Sequence, residues 1–511
     1  MSGHAHGAIA CSLSTLTLPF SIVEEQLGCP RESVFSFWED KPIGCASIGQ
    51  VHRATLTKKH GGTKVVVKVQ NPSAERTFVG DVFALRVLMD TFMPQFSVAF
   101  DEIQKQFATE FDYRGECRNA IEIRDNLRKG GFTNIIVPEV YPELCTQKIM
   151  VMEEIAPSIT LHDALDKQAE QLAQAAGMTK KEYTDRETAR VEQETMALAR
   201  EGKTPSSVSS REYDKYIMLQ VRKREGGEGR GESERSEGRA ERKQSRASES
   251  RPNAQFAQNT LVAPFFISHM RFHVQRLKQT MYNWTVGWVW AADVGSGSIV
   301  VPLNAALLID DLLYVHGHEV LIDGCFNGDP HPGNVLCAGG KLALIDYGQV
   351  KRIGEKERMD MSKMVLLVSA AIKVDPRVNR DVDMEVHRRA RKSVANHGRA
   401  IGMETEKMLE DTFYDLCVVY YGRMDAAFLY PRNVIQWSDW MQERDPLGNI
   451  DKVDYSVMLT TATMMLRGLG EMLQQYRNLA DVWKPIAQKA LKEKGQLEAV
   501  EDEIKAWGGK P

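Results

Sequence analysis

The chain has 511 residues, 43% of them hydrophobic, and 65 Lys and Arg against 69 Asp and Glu give a net charge of −4. That length holds two or three folding units, the composition is ordinary for a soluble protein, and the charge gives no pull toward nucleic acid. Eight cysteines with no Cys-x-x-Cys pair argue for reduced thiols and against a zinc site.

Residues 1–20 are rich in Ser and Thr and contain no acidic residue, Arg or Lys, which makes a poor organelle-targeting peptide. From Lys41 to Ala54 a run of small residues leads into a strand, and small residues let backbone N–H groups approach phosphate oxygens. After a Gly61-Gly62 turn, Lys64 to Gln70 is a β-branched strand with one internal lysine, Lys68. A charge inside such a strand is costly unless paired; the alternative is that Lys68 lies on a solvated face. Phe107 to Glu116 reads as a charged helix, in which Glu110 is the candidate partner for Lys68. Val151 to Ile155 is a strand end followed by Pro157, a candidate hinge whose backbone (Glu153, Glu154, Ile155) would meet an adenine ring.

Between Glu153 and Asp329 lie 175 residues. Residues 166–220 are charged and are expected to form one or two surface helices. Arg222 to Ala254 has no Val, Leu, Ile, Met, Phe, Tyr or Trp and carries ten basic and seven acidic residues, so it is expected to be disordered. Residues 284–302 are Trp-rich but too interrupted for a membrane span. Leu303 to His318 has the apolar spacing of a helix, and His316/His318, like His4/His6, are too poorly spaced on a helix to share a metal. Near the C-terminus, positions 462, 465, 466, 469 and 473 form one apolar stripe, with Arg467, Glu471 and Gln474 expected on the opposite face.

The chemistry concentrates at Asp329-Pro330-His331-Pro332-Gly333-Asn334 and Ile345-Asp346-Tyr347-Gly348. Between them, Val335 to Cys337 and Lys341 to Ile345 read as two strands joined by a turn at Ala338-Gly339-Gly340. That hairpin would bring Asp329, Asn334 and Asp346 together, an oxygen-rich set suited to Mg²⁺. Phosphoryl transfer from ATP uses such a set: one carboxylate orients the attacking hydroxyl, while an amide and a second carboxylate hold the metal. Asp and Asn also favour turns for local reasons, so it is the joint spacing that points to a kinase-like site.

These segments resemble the UbiB-type atypical kinases, the activity-of-bc1 or aarF-domain family. The similarity is carried by Pro42 to Ala54, Val67-Lys68-Val69-Gln70, Glu110-Phe111-Asp112-Tyr113 with Glu116, Asn327 to Asn334, and Ile345 to Gln349, with a weaker match at Met465 to Leu469 and Trp483 to Ala487. The resemblance implies an α+β, two-lobed protein-kinase-like fold in which an Ala-rich loop, here Gly44-Cys45-Ala46-Ser47, replaces the usual glycine-rich one. It implies that Lys68 contacts ATP phosphates and pairs with Glu110, that Asp329 is the catalytic-loop carboxylate, and that Asn334 and Asp346 hold Mg²⁺. Asp112 and Glu116 match further acidic positions of the family. It also implies a link to isoprenoid-lipid metabolism (ubiquinone or plastoquinone), a mitochondrial or plastid setting, and peripheral membrane association. The phosphate acceptor, lipid or small molecule, is left open.

The chain has no Lys before Lys41, so the Lys-x-Gly-Gln motif of the family's N-terminal helical extension is absent from it, and 1–40 is expected to be the remnant of that extension, recognisable at Phe20 to Gly28. The expected divisions are a kinase-like N-lobe at 41–160, an insertion at 161–300, a catalytic C-lobe core at 301–400 and a helical region at 401–511. Two other functions compete with the ATP- and Mg²⁺-dependent kinase or ATPase: a nucleotide-binding regulatory pseudokinase without turnover, favoured by Tyr347 where Phe is more usual, and a small-molecule kinase of the choline or aminoglycoside type.

Overall fold

The structure is a computed structural model; it describes residues 18–45, 48–72, 74–75, 111–201, 304–432, 434–446, 454–473 and 475–511. The expectations for 222–254 and 284–302 fall outside these residues, as do Glu110, Ala46 and Ser47. In chain order the first half holds α1 (Leu18–Leu27), β1 (Phe35–Trp38), β2 (Gly44–Cys45), β3 (Gly49–Leu56), β4 (Lys64–Gln70), α2 (Tyr113–Lys129), β5 (Ile135–Ile136), β6 (Ile149–Glu153), β7 (Ile159–Thr160), α3 (Leu161–Ala175) and α4 (Lys180–Arg200). The second half holds α5 (Ala305–His318), a π turn at Glu319–Asp323, β8 (Cys325–Asn327), β9 (Val335–Ala338), β10 (Lys341–Leu344) and β11 (Val350–Arg352). Helices follow: α6 (Glu355–Lys373), α7 (Met384–Ala400), α8 (Glu410–Tyr421), α9 (Ala426–Leu429), α10 (Val434–Arg444), α11 (Asp454–Met472), α12 (Leu479–Glu493) and α13 (Leu497–Ala506).

The β-branched run of β4 explains the first sheet. Strand order is β1-β3-β4-β6, with β2 on β3 and every pairing antiparallel. Alternation along β4 sends Val65, Val67 and Val69 into a cluster with Ile22 and Val23 of α1 and with Ile149 and Val151 of β6. Val66 points the other way, into the main core with Ile123 and Ala120 of α2, and Lys68 shares its face by the same period of two. Gly49, at the start of β3, is a close-approach position: a Cβ there would lie 2.4 Å from the carbonyl oxygen of Val69.

The predicted hairpin is present. β9 and β10 pair antiparallel from Val335↔Leu344 to Ala338↔Lys341. Gly339 and Gly340 turn it with φ of +54° and +78°, values L side chains rarely adopt. β5 and β7 flank the hairpin, β5 running parallel to β10. A two-stranded pair, β8 with β11, completes the sheets.

The predicted helix at 303–318 is α5, and Asn304 caps it by accepting the Leu307 N–H at 3.0 Å. Through residue 201, the expected surface helices are α3 and α4. The stripe on α11 needs one correction. Ala462, Leu466 and Leu469 are buried as expected, but so is Arg467. Its guanidinium donates to the carbonyls of Val419 (2.6 Å) and Tyr420 (3.3 Å) at the end of α8. Helix ends leave such carbonyls without intrahelical partners, and a buried guanidinium satisfies them where a seven-residue pattern reads only a polar face.

Candidate functional site

The site is assembled from four segments. β4 supplies Lys68, α2 supplies Glu116, the turn after β8 supplies Asp329 to Asn334, and the segment after β10 supplies Asp346. Lys68 is 1% exposed, which settles its face: it is not solvated. Its ammonium pairs with Glu116 Oε1 and lies 3.3 Å from Asp346 Oδ2.

The sequence reading gave the pairing role to Glu110. That residue lies outside the described ones; among those described, Lys68 meets Glu116 from α2 and Asp346. The helix start places Glu116. Asp112 is the N-cap of α2, accepting the Arg114 N–H at 3.0 Å, so Glu116 falls in the first turn on the face that carries Cys117, Ala120 and Ile123 inward. The Asp112 carboxylate spends its second oxygen on the Arg114 guanidinium at 2.8 Å. Burial pushes the Glu116 carboxyl up to about 7, against the pull of Lys68 and with the repulsion of Asp346 adding to it. The same two carboxylates hold the Lys68 ammonium above its ordinary value despite burial.

Asp346 sits at a strand end with both oxygens engaged. Oδ1 accepts the Gly348 N–H at 3.0 Å and Oδ2 faces Lys68. Its carbonyl accepts from Asn327 Nδ2 at 2.9 Å, and the next carbonyl, of Tyr347, accepts from Asn119 Nδ2 of α2 at 3.0 Å. Helix, lysine strand and acidic loop are thereby tied together. Tyr347 itself is fully buried, which raises its phenol well above the ordinary value.

Asp329 is half-buried. Burial, with the nearby charge of Asp346, pushes its carboxyl up to about 7. The Asp329 N–H donates to Asn327 Oδ1 at 2.9 Å. In the same turn, His331 Nδ1 accepts the Gly333 N–H at 3.0 Å, consistent with a ring whose protonation burial disfavours. Asn334 is 5% exposed; its backbone is held by His331 O and Ile345 N, while its side-chain Oδ1 has no hydrogen-bond partner.

Mg²⁺ fits this donor set. An orphaned buried amide oxygen is costly unless something takes up its lone pairs, and the repulsion that Asp346 adds to the buried Asp329 carboxyl is the kind a hard divalent cation relieves. At the other edge, Glu153 lies opposite Val65 at the end of β6, and the Glu154 N–H donates to Lys64 O at 3.1 Å. The Glu154 carboxylate accepts from Arg53 Nε at 2.7 Å, so it braces β3 against the segment after β6. Gly44 pairs with Val51 in the strand that leads to the small-residue loop. Sequence reasoning did not single out Asn119, and it read Asn327 and Arg53 only as members of family-like segments, with no role; of the three only Asn327 left a local signal, an amide two residues before an Asp, the spacing of an Asx turn.

A separate cavity of about 230 Å³ lies among the C-terminal helices, lined in part by Arg423, Arg467, Glu471 and Arg477. Its arginines are engaged by Asp425, by the α8 carbonyls and by Asp310.

A mixed α+β domain whose buried strand lysine meets a helix carboxylate and a loop carboxylate is of the kinase-like class. The family profile of the ABC1 atypical kinase-like domain matches residues 16–185 and 301–377. Over those residues the chain carries an ABC1 atypical kinase-like domain, the domain it shares with activity-of-bc1, aarF-domain and UbiB proteins. It is 36% identical over 145 residues to a chloroplastic activity-of-bc1-complex kinase of Arabidopsis thaliana, which is 27% of this chain and 20% of that protein. It is 35% identical over 137 residues to an aarF domain-containing protein kinase 1 of Xenopus tropicalis, and 34% identical over 141 residues to a probable protein kinase UbiB of Aeromonas salmonicida. Each of these two alignments takes in 26% of this chain and 25% of the relative. The matched stretch thus spans a quarter or less of the length of these relatives.

Proposed function

We propose that the chain is an ATP- and Mg²⁺-dependent phosphotransferase or ATPase built on a two-lobed kinase-like fold. The observation that carries the reading is Lys68, fully buried between the carboxylates of Glu116 and Asp346, with an amide oxygen of Asn334 that has no partner in the adjoining loop. A buried ammonium held by two carboxylates is an expensive arrangement, and phosphate binding gives it a use.

In this reading Lys68 binds phosphate oxygens, and Glu116 holds its ammonium in place. Asn334 and Asp346 hold the metal, which when bound neutralises phosphate charge. Asp329 accepts the proton of the attacking hydroxyl. Gly44 to Ser47 cover the phosphates, and the backbone of Glu153 to Ile155 receives the adenine. The acceptor is taken to be a lipid or small molecule of isoprenoid-quinone metabolism, in a mitochondrion or plastid, and this rests on the family alone. None of the described helices is long and apolar enough to cross a membrane; peripheral contact with lipid, too, rests on the family alone.

The test is ATP turnover with Mg²⁺ for wild type, Asp329→Asn and Asp346→Ala, with and without liposomes and a phenolic quinone-precursor analogue. Turnover lost in both variants, with nucleotide still bound by Asp329→Asn, is the expected result. Nucleotide binding with no turnover in the wild type would replace the reading with a regulatory module.

A further inference from the structure

Asn327 is the last residue of β8, 6% exposed and two residues before Asp329. All three of its hydrogen-bonding groups apart from the carbonyl are engaged, each with a different part of the site. Its backbone N–H donates to Glu319 Oε2 at 3.3 Å. Side-chain Oδ1 accepts the Asp329 N–H at 2.9 Å. Side-chain Nδ2 donates to the Asp346 carbonyl, also at 2.9 Å. One planar amide therefore spans the loop that carries Asp329 and the loop that carries Asp346, which are seventeen positions apart in sequence.

Only part of this is ordinary turn chemistry. An Asx turn needs the Oδ1 acceptor alone, and an aspartate meets that need as well as an asparagine. The Nδ2 donor is not local: it reaches across to a strand end, and an aspartate in that place would set an acceptor against an acceptor. Glu319 is equally particular. It stands at the start of the π turn that follows α5, 2% exposed, with His316 Nδ1 3.7 Å from Oε2. A buried carboxylate is retained at a cost unless it holds something in place, and what it holds is the Asn327 N–H.

We propose that Asn327, anchored by Glu319, is the positioning residue that fixes the Asp329 and Asp346 loops relative to one another. The inference rests on the phosphotransfer reading and deepens it: metal held at Asp346 and proton transfer at Asp329 need one geometry, and a single side chain sets it. Displacing a reacting group by about 1 Å costs on the order of 100-fold in rate.

The experiment compares Asn327→Asp and Asn327→Ala with wild type in kcat, KM for ATP, the Mg²⁺ concentration for half-maximal turnover, and Mg²⁺-dependent affinity for a fluorescent ADP analogue. Both variants are expected to lose about 100-fold in kcat with KM for ATP little changed, and both should need several-fold more Mg²⁺. Asn327→Asp is the decisive arm, because it keeps the turn acceptor while it replaces the bridge donor by a second acceptor. Near-wild-type kcat and Mg²⁺ requirement in Asn327→Asp, with loss confined to Asn327→Ala, would reduce Asn327 to a turn residue and overturn the proposal. If Asn327→Asp does not fold, Asn327→Ala carries the test, and wild-type values there would overturn it. Glu319→Leu is expected to show the same signature at smaller size; an unchanged variant would remove Glu319 from the proposal. A wild type that binds Mg²⁺ and ADP analogue without turnover would overturn the phosphotransfer reading while the Mg²⁺ arm still decides the positioning role. A wild type that binds neither would overturn both.

Discussion

Lys68→Met removes the cation from a pair in which both partners are buried, Lys68 at 1% and Glu116 at 5% exposure. Breaking one side of a buried pair typically costs about 3–5 kcal/mol, because the other charge is left uncompensated. The loss should depend on pH in a definite direction. In the wild type burial raises the Glu116 carboxyl above its ordinary value, so the folded state binds that proton more tightly than the unfolded one. Such a group favours the fold at low pH, and its contribution falls as pH rises from the unfolded to the folded value. Without Lys68 the carboxyl rises further, and the fall extends to higher pH. Where the variant's Glu116 still titrates and the wild type's no longer does, the extra loss is about 1.4 kcal/mol per pH unit. Urea unfolding followed by tryptophan fluorescence, at pH 6 and pH 8, reads both quantities. Lys68→Met should be more destabilised at pH 8 than at pH 6, and adding Glu116→Gln should remove the difference and restore part of the stability. An equal loss at both values, or strict additivity of the two substitutions, would refute the reasoning.

Gly49→Ala would place a Cβ 2.4 Å from the Val69 carbonyl oxygen; the β3–β4 pairing must shift, so thermal stability and nucleotide affinity should both fall, the former by about 1–3 kcal/mol, and an unchanged Tm would contradict the packing at that strand start. Arg467→Met leaves the Val419 and Tyr420 carbonyls at the end of α8 without their donors; a loss of about 2–4 kcal/mol in urea unfolding is expected, and a neutral result would show that solvent reaches those carbonyls. Burial pushes the Glu471 carboxyl up to about 7, so stability falls as pH rises from the ordinary carboxyl value to about 7 and the full cost is present above it; Glu471→Gln should stabilise by on the order of 1–2 kcal/mol at pH 8, after allowance for solvent screening, and by less at pH 5. Equal effects at the two values would mean that Glu471 is ionised throughout.

Much of the site was legible because its signals are local. Two positive-φ glycines between apolar runs dictate a tight hairpin, and the hairpin alone brings the turn before Val335 next to the residue after Ile345, whatever the rest of the chain does. The alternation along Lys64 to Gln70 likewise dictates that Lys68 faces opposite to Val67 and Val69. The name of the family was readable from the same segments, since they are short runs whose side-chain order survives without the fold.

What sequence could not settle was which acidic residue meets Lys68, where Arg467 goes and what Asn327 does. Asp112 and Glu116 stand four positions apart, one at the cap of α2 and the other in its first turn. Which face looks at the lysine depends on where the helix starts and how it packs, and that is decided by the Asp112 cap and by Ala120 and Ile123 against Val66. Arg467 is polar by composition and buried by circumstance, because the end of another helix presents it with open carbonyls. Asn327 reads as a turn residue until the Asp346 carbonyl arrives from a strand end nineteen positions on. Turn type and strand alternation are properties of a few consecutive residues. Helix rotation, ion-pair choice and long-range amide bridges depend on groups that only the folded chain brings together.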